Sequence, residues 1–148
     1  AIVVESRPAR EGVQLARALG EVGIRSTLIV DAGIASFMDR ADAILVGGDT
    51  VSGSFFVNKL GTHPLVLTAA NQGVPVYLLA SLLKLLPEDE VPEVESPHSP
   101  EEVESDPMTN VTVENIYFER IPLDKVTGVI TEEGVLTPEE IARRVTSL

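Results

Sequence analysis

An α/β fold, with a mainly parallel sheet and helices on both of its faces, is predicted by three features of this sequence. Short runs of Val, Ile and Leu alternate with amphipathic stretches as far as Ser81. Hydrophobic residues make up 44% of the chain but aromatics only 4%, the aliphatic composition of a parallel sheet covered by helices. The length, 148 residues, is enough for one domain with a core of its own.

Each element follows from its local pattern. AIVVE (1–5) reads as a buried strand. Residues 10–23 carry Leu15, Leu19 and Val22 at helical spacing and end in glycines, which predicts a helix with a glycine C-cap. STLIV (26–30) is a second strand, Asp31 is placed to cap a short helix in AGIASFMDR, and ADAILV (41–46) is a third strand. VGGDTVSGSFFVNKLGT (46–62) reads as one loop that opens a helix over 62–73, and VPVYLLA (74–80) is a fourth strand. Strand and helix alternating at this spacing means βαβ units. Right-handed crossovers then predict a doubly wound, Rossmann-like sheet, with 1–148 as a single domain.

The pattern breaks at 87–107, where nine acidic residues and five prolines occur with no Lys or Arg. That composition predicts a solvated, mobile loop. VTVENIYFERIP then alternates as an extended segment, and VTGVI (126–130) is another strand. TPEE at 137–140 is a capping box with Pro at the first helical position, so a closing helix is expected to run to about Val145.

A net charge of −12 argues against nucleic acid and against anionic membrane surfaces, because no basic stripe is available. The absence of cysteine excludes disulfides and thiolate zinc sites, and two isolated histidines make no metal site. No cofactor is expected. No signal sequence opens the chain and no apolar run is long enough to span a bilayer, so a cytoplasmic protein is the default. The chain begins directly on a strand, as a piece of something longer would.

Ligands of open parallel sheets sit outside the carboxyl ends of the strands. Arg7 follows the first strand, Asp31 the second and Gly47-Gly48-Asp49 the third, which is expected to gather Arg7 and Asp49 on one rim. Asp49 is either a general acid or base or a cap on the amides of the turn after it. Lys59 suits a phosphate, and the helix beginning at Thr62 offers free amides beside it, though a solvated lysine fits the sequence as well. Arg7 is placed to clamp a phosphate or to pair with one of the surplus carboxylates. Gly48 allows close backbone approach. No GxGxxG or GxxxxGK[ST] motif is present, so dinucleotide and P-loop readings lack their signature. His63 reads as a surface residue, and His98 has no assigned role. Phe55 and Phe56 are expected to pack in a partner interface or beneath the loop.

ESRPAREG, VGGDTVSGSFFVNKLGT, SPHSPEEV and ENIYFERIPLDKVTGVITEEGVLTPEEI, in this order, resemble the C-terminal domain of one superfamily. It comprises the alpha, beta and delta subunits of translation initiation factor 2B, methylthioribose-1-phosphate isomerase and ribose-1,5-bisphosphate isomerase. The resemblance implies a Rossmann-like domain that normally follows an N-terminal helical domain, which is absent from this chain, and dimerisation through the C-terminal half. In the isomerase members it implies an aspartate, here Asp49, working with a cysteine from an upstream segment. Sugar-phosphate binding would then fall to Asn58, Lys59 and Arg7. Ser6 and Glu11 depart from the threonine and glutamine common in the isomerases and are closer to the initiation-factor members.

Two functions follow from this resemblance. The first is an initiation-factor-2B-like module, inactive alone, that binds a phosphorylated sugar or nucleotide and assembles as a homodimer or as a subunit of something larger. The alternative is the C-terminal half of an aldose–ketose isomerase acting on methylthioribose 1-phosphate or ribose 1,5-bisphosphate. A module in which the loop only caps helices is the plainest reading of the residues alone.

Overall fold

The computed structural model describes residues 1–92 and 98–148. The chain forms two compact units. One holds Ala1–Ile34 with the described residues of 94–117; the other holds the described residues of 35–93 with Phe118–Leu148.

The first unit opens on a βαβ motif: β1 (Ile2–Val4), α1 (Glu11–Glu21) and β2 (Thr27–Ile29). The two strands are parallel, with Val3 opposite Leu28. Val3 and Ile29 are buried. The helix approaches β1 at Gly12, where a Cβ would lie 1.7 Å from the Val4 carbonyl oxygen, so only glycine fits there. The helix ends as expected, with Gly23 at φ +80° and the Ile24 amide reaching back to the Leu19 carbonyl at 2.8 Å. The expected apolar stripe, however, is not the packed face. Leu15 is 54% and Val22 73% exposed, because α1 meets its strands through the glycine-bearing first turn.

The returning part of this unit is tied by polar contacts. Asn115 is buried, and its amide donates to the Ser99 carbonyl (2.8 Å) and to Glu102 (2.7 Å). The Tyr117 hydroxyl bonds the same carboxylate at 2.6 Å, and its ring stacks on His98. The acidic stretch expected to be a mobile loop therefore carries defined turns at Glu88–Glu90 and Pro100–Glu102, and Val91 is buried. Its residues 93–97 lie outside the described residues.

The short helix expected over AGIASFMDR is broken into α2 (Ile34–Phe37) between two 3-10 turns, Asp31–Gly33 and Met38–Arg40. Asp31 does not cap it; its carboxylate is engaged elsewhere, as described below.

The second unit continues with β3 (Ile44–Gly47), β4 (Thr50–Val51), β5 (Phe55–Lys59), α3 (Thr62–Gln72), β6 (Val76–Leu79), β7 (Phe118–Pro122), β8 (Gly128–Thr131), β9 (Gly134–Leu136) and α4 (Pro138–Thr146). One sheet has the order β3-β6-β8-β9, parallel except for the last strand. A row in register across it, Val46, Leu78 and Val129, forms its buried face. The other sheet, β4-β5-β7, is antiparallel. It corrects the single loop expected over 46–62, which is instead a hairpin followed by a helix. Ser52 makes the turn: its buried hydroxyl donates to the Phe55 carbonyl and accepts the Phe55 amide, so the two strands close over three residues.

Phe56 is fully buried, beside Ile121 opposite it in register, while the Arg120 guanidinium covers the Phe55 ring at 4.5 Å. The expected capping box is present. Thr137 accepts the Glu140 amide and Glu140 accepts the Thr137 amide, and α4 packs through Ile141 and Val145.

Replacing Phe56 by Ala is expected to cost about 3–5 kcal/mol through lost burial and the cavity left behind. Urea unfolding of wild type and variant measures it; a cost near zero would contradict the core described.

Candidate functional site

The site is built where the chain leaves one sheet of the second unit for the other. β3 ends at Gly47, the Gly48 amide still bonds the Leu79 carbonyl of β6 (3.1 Å), and the next amide, Asp49, bonds the Val57 carbonyl of β5 (2.8 Å). Gly48 is buried at this junction. A Cβ on it would sit 3.0 Å from Leu78 Cδ1 and 3.6 Å from Ala80 Cβ, so a side chain would press into the core row.

Three side chains border this glycine pair. Asp49 is exposed, and among the described residues its carboxylate takes none of the amides of the turn that follows, so the capping role is not the one it plays. Asn58 lies beside Gly47, its Oδ1 3.6 Å from where a Cβ of that glycine would be. Its Nδ2 donates to Thr62 Oγ1 (2.9 Å), which in turn donates to the Lys59 carbonyl (2.7 Å), so the amide's orientation is fixed. Lys84 is the residue that sequence reasoning missed. Its ammonium donates to the Gly48 carbonyl at 2.6 Å. An open cleft of about 540 Å³ lies at the carboxyl ends of β6 and β8, lined among others by Leu79, Ser81, Lys84 and Glu132.

Lys59 stands apart from Asn58. Successive residues of a strand face opposite ways. Lys59 shares its face with Phe118, opposite it in register, and its ammonium is 5.8 Å from that ring's centroid. Two of the helix amides expected to be free beside it are already taken. β7 sets Glu119 opposite Asn58, and its carboxylate accepts the Gly61 (2.7 Å) and His63 (2.9 Å) amides, while Pro64 has none. A carboxylate at a helix start is favourable for the same reason a phosphate would be. It therefore occupies two of the donors that a phosphate there would use.

Arg7 belongs to the first unit. It is exposed, and its loop is held by Asp31, whose two oxygens accept the Ser6 amide (3.0 Å) and the Arg7 amide (2.9 Å). The clamp holds Ser6 at φ 60°, a left-handed conformation costly for a non-glycine residue. Among the described residues no group of three or more His, Asp or Glu is placed to hold a metal, and no helix is long and apolar enough to cross a membrane.

These elements recur in known proteins. The Initiation factor 2 subunit family matches residues 1–138. The chain belongs to that family. It is 34% identical to the ribose 1,5-bisphosphate isomerase of Haloferax volcanii, over 95% of this chain and 46% of that protein. Among solved structures it matches the 5-methylthioribose 1-phosphate isomerase of Pyrococcus horikoshii, with a TM-score of 0.86 and 30% identity, over 99% of this chain and 44% of that one. It also matches translation initiation factor eIF-2B of Pyrococcus horikoshii, with a TM-score of 0.78 and 33% identity, over 93% and 48%. The chain thus spans about half the length of the family members it matches.

Glu132 sits at the cleft with its carboxyl below the ordinary value of 4.5. Its own backbone amide is the largest cause, followed by the Leu82 amide, with the Ser81 hydroxyl and the Arg144 charge adding to them. Hydrogen bonds to the charged form lower a carboxyl pKa. The stabilisation they give is present above the unfolded value and is lost as pH falls through the lower, folded one. Carboxyl ¹³C NMR is therefore expected to show Glu132 titrating below 4.5, with the Ser81–Leu82 contacts surviving until then. A midpoint above 4.5 would contradict the geometry.

Proposed function

We propose that this chain is the sugar-phosphate-binding portion of an aldose–ketose isomerase acting on a 1-phosphorylated ribose derivative. One observation carries the reading: Lys84, Asn58 and Asp49 border a single glycine pair at the carboxyl end of β3. The names of its relatives, ribose 1,5-bisphosphate isomerase and 5-methylthioribose 1-phosphate isomerase, support this over a module that only assembles. A doubly wound, Rossmann-like arrangement is the natural host. It is supported by the parallel β1-α1-β2 unit and by the parallel β3, β6 and β8.

In this reading Lys84 and Asn58 hold phosphate and sugar oxygens by charge and amide hydrogen bonds. Gly48 lets the backbone approach the sugar, and Asp49 exchanges a proton with the ring oxygen as the ring opens. Asp49 is exposed, so that transfer requires the crevice to close over the substrate and exclude water. The base that moves the proton between the two sugar carbons is a second group. The chain contains no cysteine, so the thiol implied by the family resemblance comes from a segment outside these residues. Lys59 is proposed as a further phosphate contact, reached from the other face of β5.

A second reading, an initiation-factor-2B-like module that binds the same ligands and assembles without turnover, is supported by the match to eIF-2B. Turnover separates the two. The longest reading frame that contains this chain is expected to convert ribose 1,5-bisphosphate or methylthioribose 1-phosphate to a ketose, followed by ¹³C NMR. Lys84→Met should weaken binding by about 10- to 100-fold, the loss of a charged hydrogen bond worth about 1.5–3 kcal/mol. Asp49→Asn should remove turnover and leave binding in place. Tight binding with no ketose from the wild type would favour the binding and assembly reading, and no binding of either compound would overturn both.

A further inference from the structure

We infer that Glu132 is a positioning residue: its carboxylate fixes the turn that carries Lys84 and so aims the Lys84 ammonium at the Gly48 carbonyl. This inference rests on the sugar-phosphate reading of the Gly48–Asp49 rim, and it gives a role to the ITEEG stretch that the reading so far leaves without one.

After β6 the chain makes a single 3-10 turn, Leu82–Lys84. So short a turn has little stability of its own. Apolar packing within the turn is limited to Leu82, which is half-buried, since Leu83 is 93% exposed. Polar bonds hold it. Glu132 accepts the Leu82 amide with both oxygens (3.2 and 3.0 Å) and the Ser81 hydroxyl with one of them (3.1 Å). Ser81 Oγ in turn accepts the Leu83 amide (3.3 Å), and the Ser81 carbonyl accepts the Lys84 amide (3.0 Å). Every backbone donor from Leu82 to Lys84 is therefore satisfied through Ser81 and Glu132.

The far end of the turn is anchored separately. Leu85 is buried and bridges Val51, and the Leu86 amide bonds the Val51 carbonyl (3.0 Å). Between these two anchors a flexible lysine side chain makes its 2.6 Å bond to Gly48.

Glu132 is itself held in place. It lies in the tight β8–β9 hairpin, where Thr131 Oγ1 donates to the Gly134 carbonyl (2.9 Å) and accepts the Glu133 amide (3.2 Å). Glu133 points the other way, to Arg144 of α4 at 2.6 Å. The two adjacent glutamates thus link opposite ends of one rigid path, from α4 through the hairpin to the turn and Lys84.

Lysine acetylation tests this without any ligand. The chain has three lysines, Lys59, Lys84 and Lys125, so two serve as internal references. An ammonium donating to a carbonyl must be released before it reacts. In Glu132→Ala, limited acetic anhydride labelling read by mass spectrometry is expected to modify Lys84 several-fold faster than in wild type, with Lys59 and Lys125 unchanged. Glu132→Gln, which keeps one oxygen for the Leu82 amide, should fall between. Unchanged Lys84 labelling in both variants would overturn the inference.

Ribose 1,5-bisphosphate titration of the same chain provides the second readout. Glu132→Ala should weaken binding about as much as Lys84→Met, and adding it to Lys84→Met should cost nothing more. Equal losses in both backgrounds would mean that Glu132 acts on its own and would also overturn the inference. Normal binding by Lys84→Met would instead remove the site reading, while the labelling ratio would still decide whether Glu132 holds Lys84.

Discussion

Backbone amides left over where strands end must find acceptors, and three loops of this protein satisfy them with carboxylates from neighbouring strands or loops. Asp31 takes the Ser6 and Arg7 amides, Glu119 takes those of Gly61 and His63, and Glu132 takes that of Leu82 together with the Ser81 hydroxyl. The amides of each clamp lie within four residues of a cation, respectively Arg7, Lys59 and Lys84. An unsatisfied amide costs more than a made hydrogen bond gains, so these carboxylates fix loop conformation where little apolar burial is available. The amides in these clamps are therefore bonded within the protein and are not donors for a ligand.

Most of the elements were legible because their signals are local. The βαβ alternation, the glycine end of α1, and the Thr137 capping box depend on residues adjacent in sequence and appear where expected. The β4–β5 hairpin was not legible. Its first strand is two residues long, and its Gly/Ser turn hides the alternation that marks a strand. What makes β5 a strand is pairing with β7, more than fifty residues away, and no local pattern encodes that. The same long-range pairing explains why Phe56, which read as a loop aromatic, lies in the core.

The candidate site was half legible. Asp49, Gly48 and Asn58 stand out by their order along one stretch, and the structure sets all three around the end of β3. Lys84 gave no signal, since LLKLL reads as any amphipathic segment; only the fold of the turn brings its ammonium to Gly48. Two of the α3 amides that were expected to face a phosphate are instead occupied by an acidic residue from a distant strand. Sequence spacing shows which donors exist but not which of them have already been claimed.

Under the proposed sugar-phosphate reading, the clamps also bear on how so acidic a chain would hold a phosphate. With 23 acidic residues against 11 basic ones, its summed field repels an anion at long range. At physiological salt that field fades over about 8 Å, so binding is decided by what lies in immediate contact. There, Glu119 and Glu132 are occupied with backbone donors, and each amide offsets part of the negative charge it faces, which leaves Asp49 as the exposed carboxylate of the rim. Lys84 meanwhile donates to a neutral carbonyl instead of pairing with an acid. Pairing with a carboxylate would cancel its charge, whereas a carbonyl orients the ammonium and leaves the charge in place for a ligand. In the proposed reading, a cation aimed by a neutral acceptor, on a turn held by a carboxylate, is how a chain of charge −12 keeps one rim receptive to phosphate.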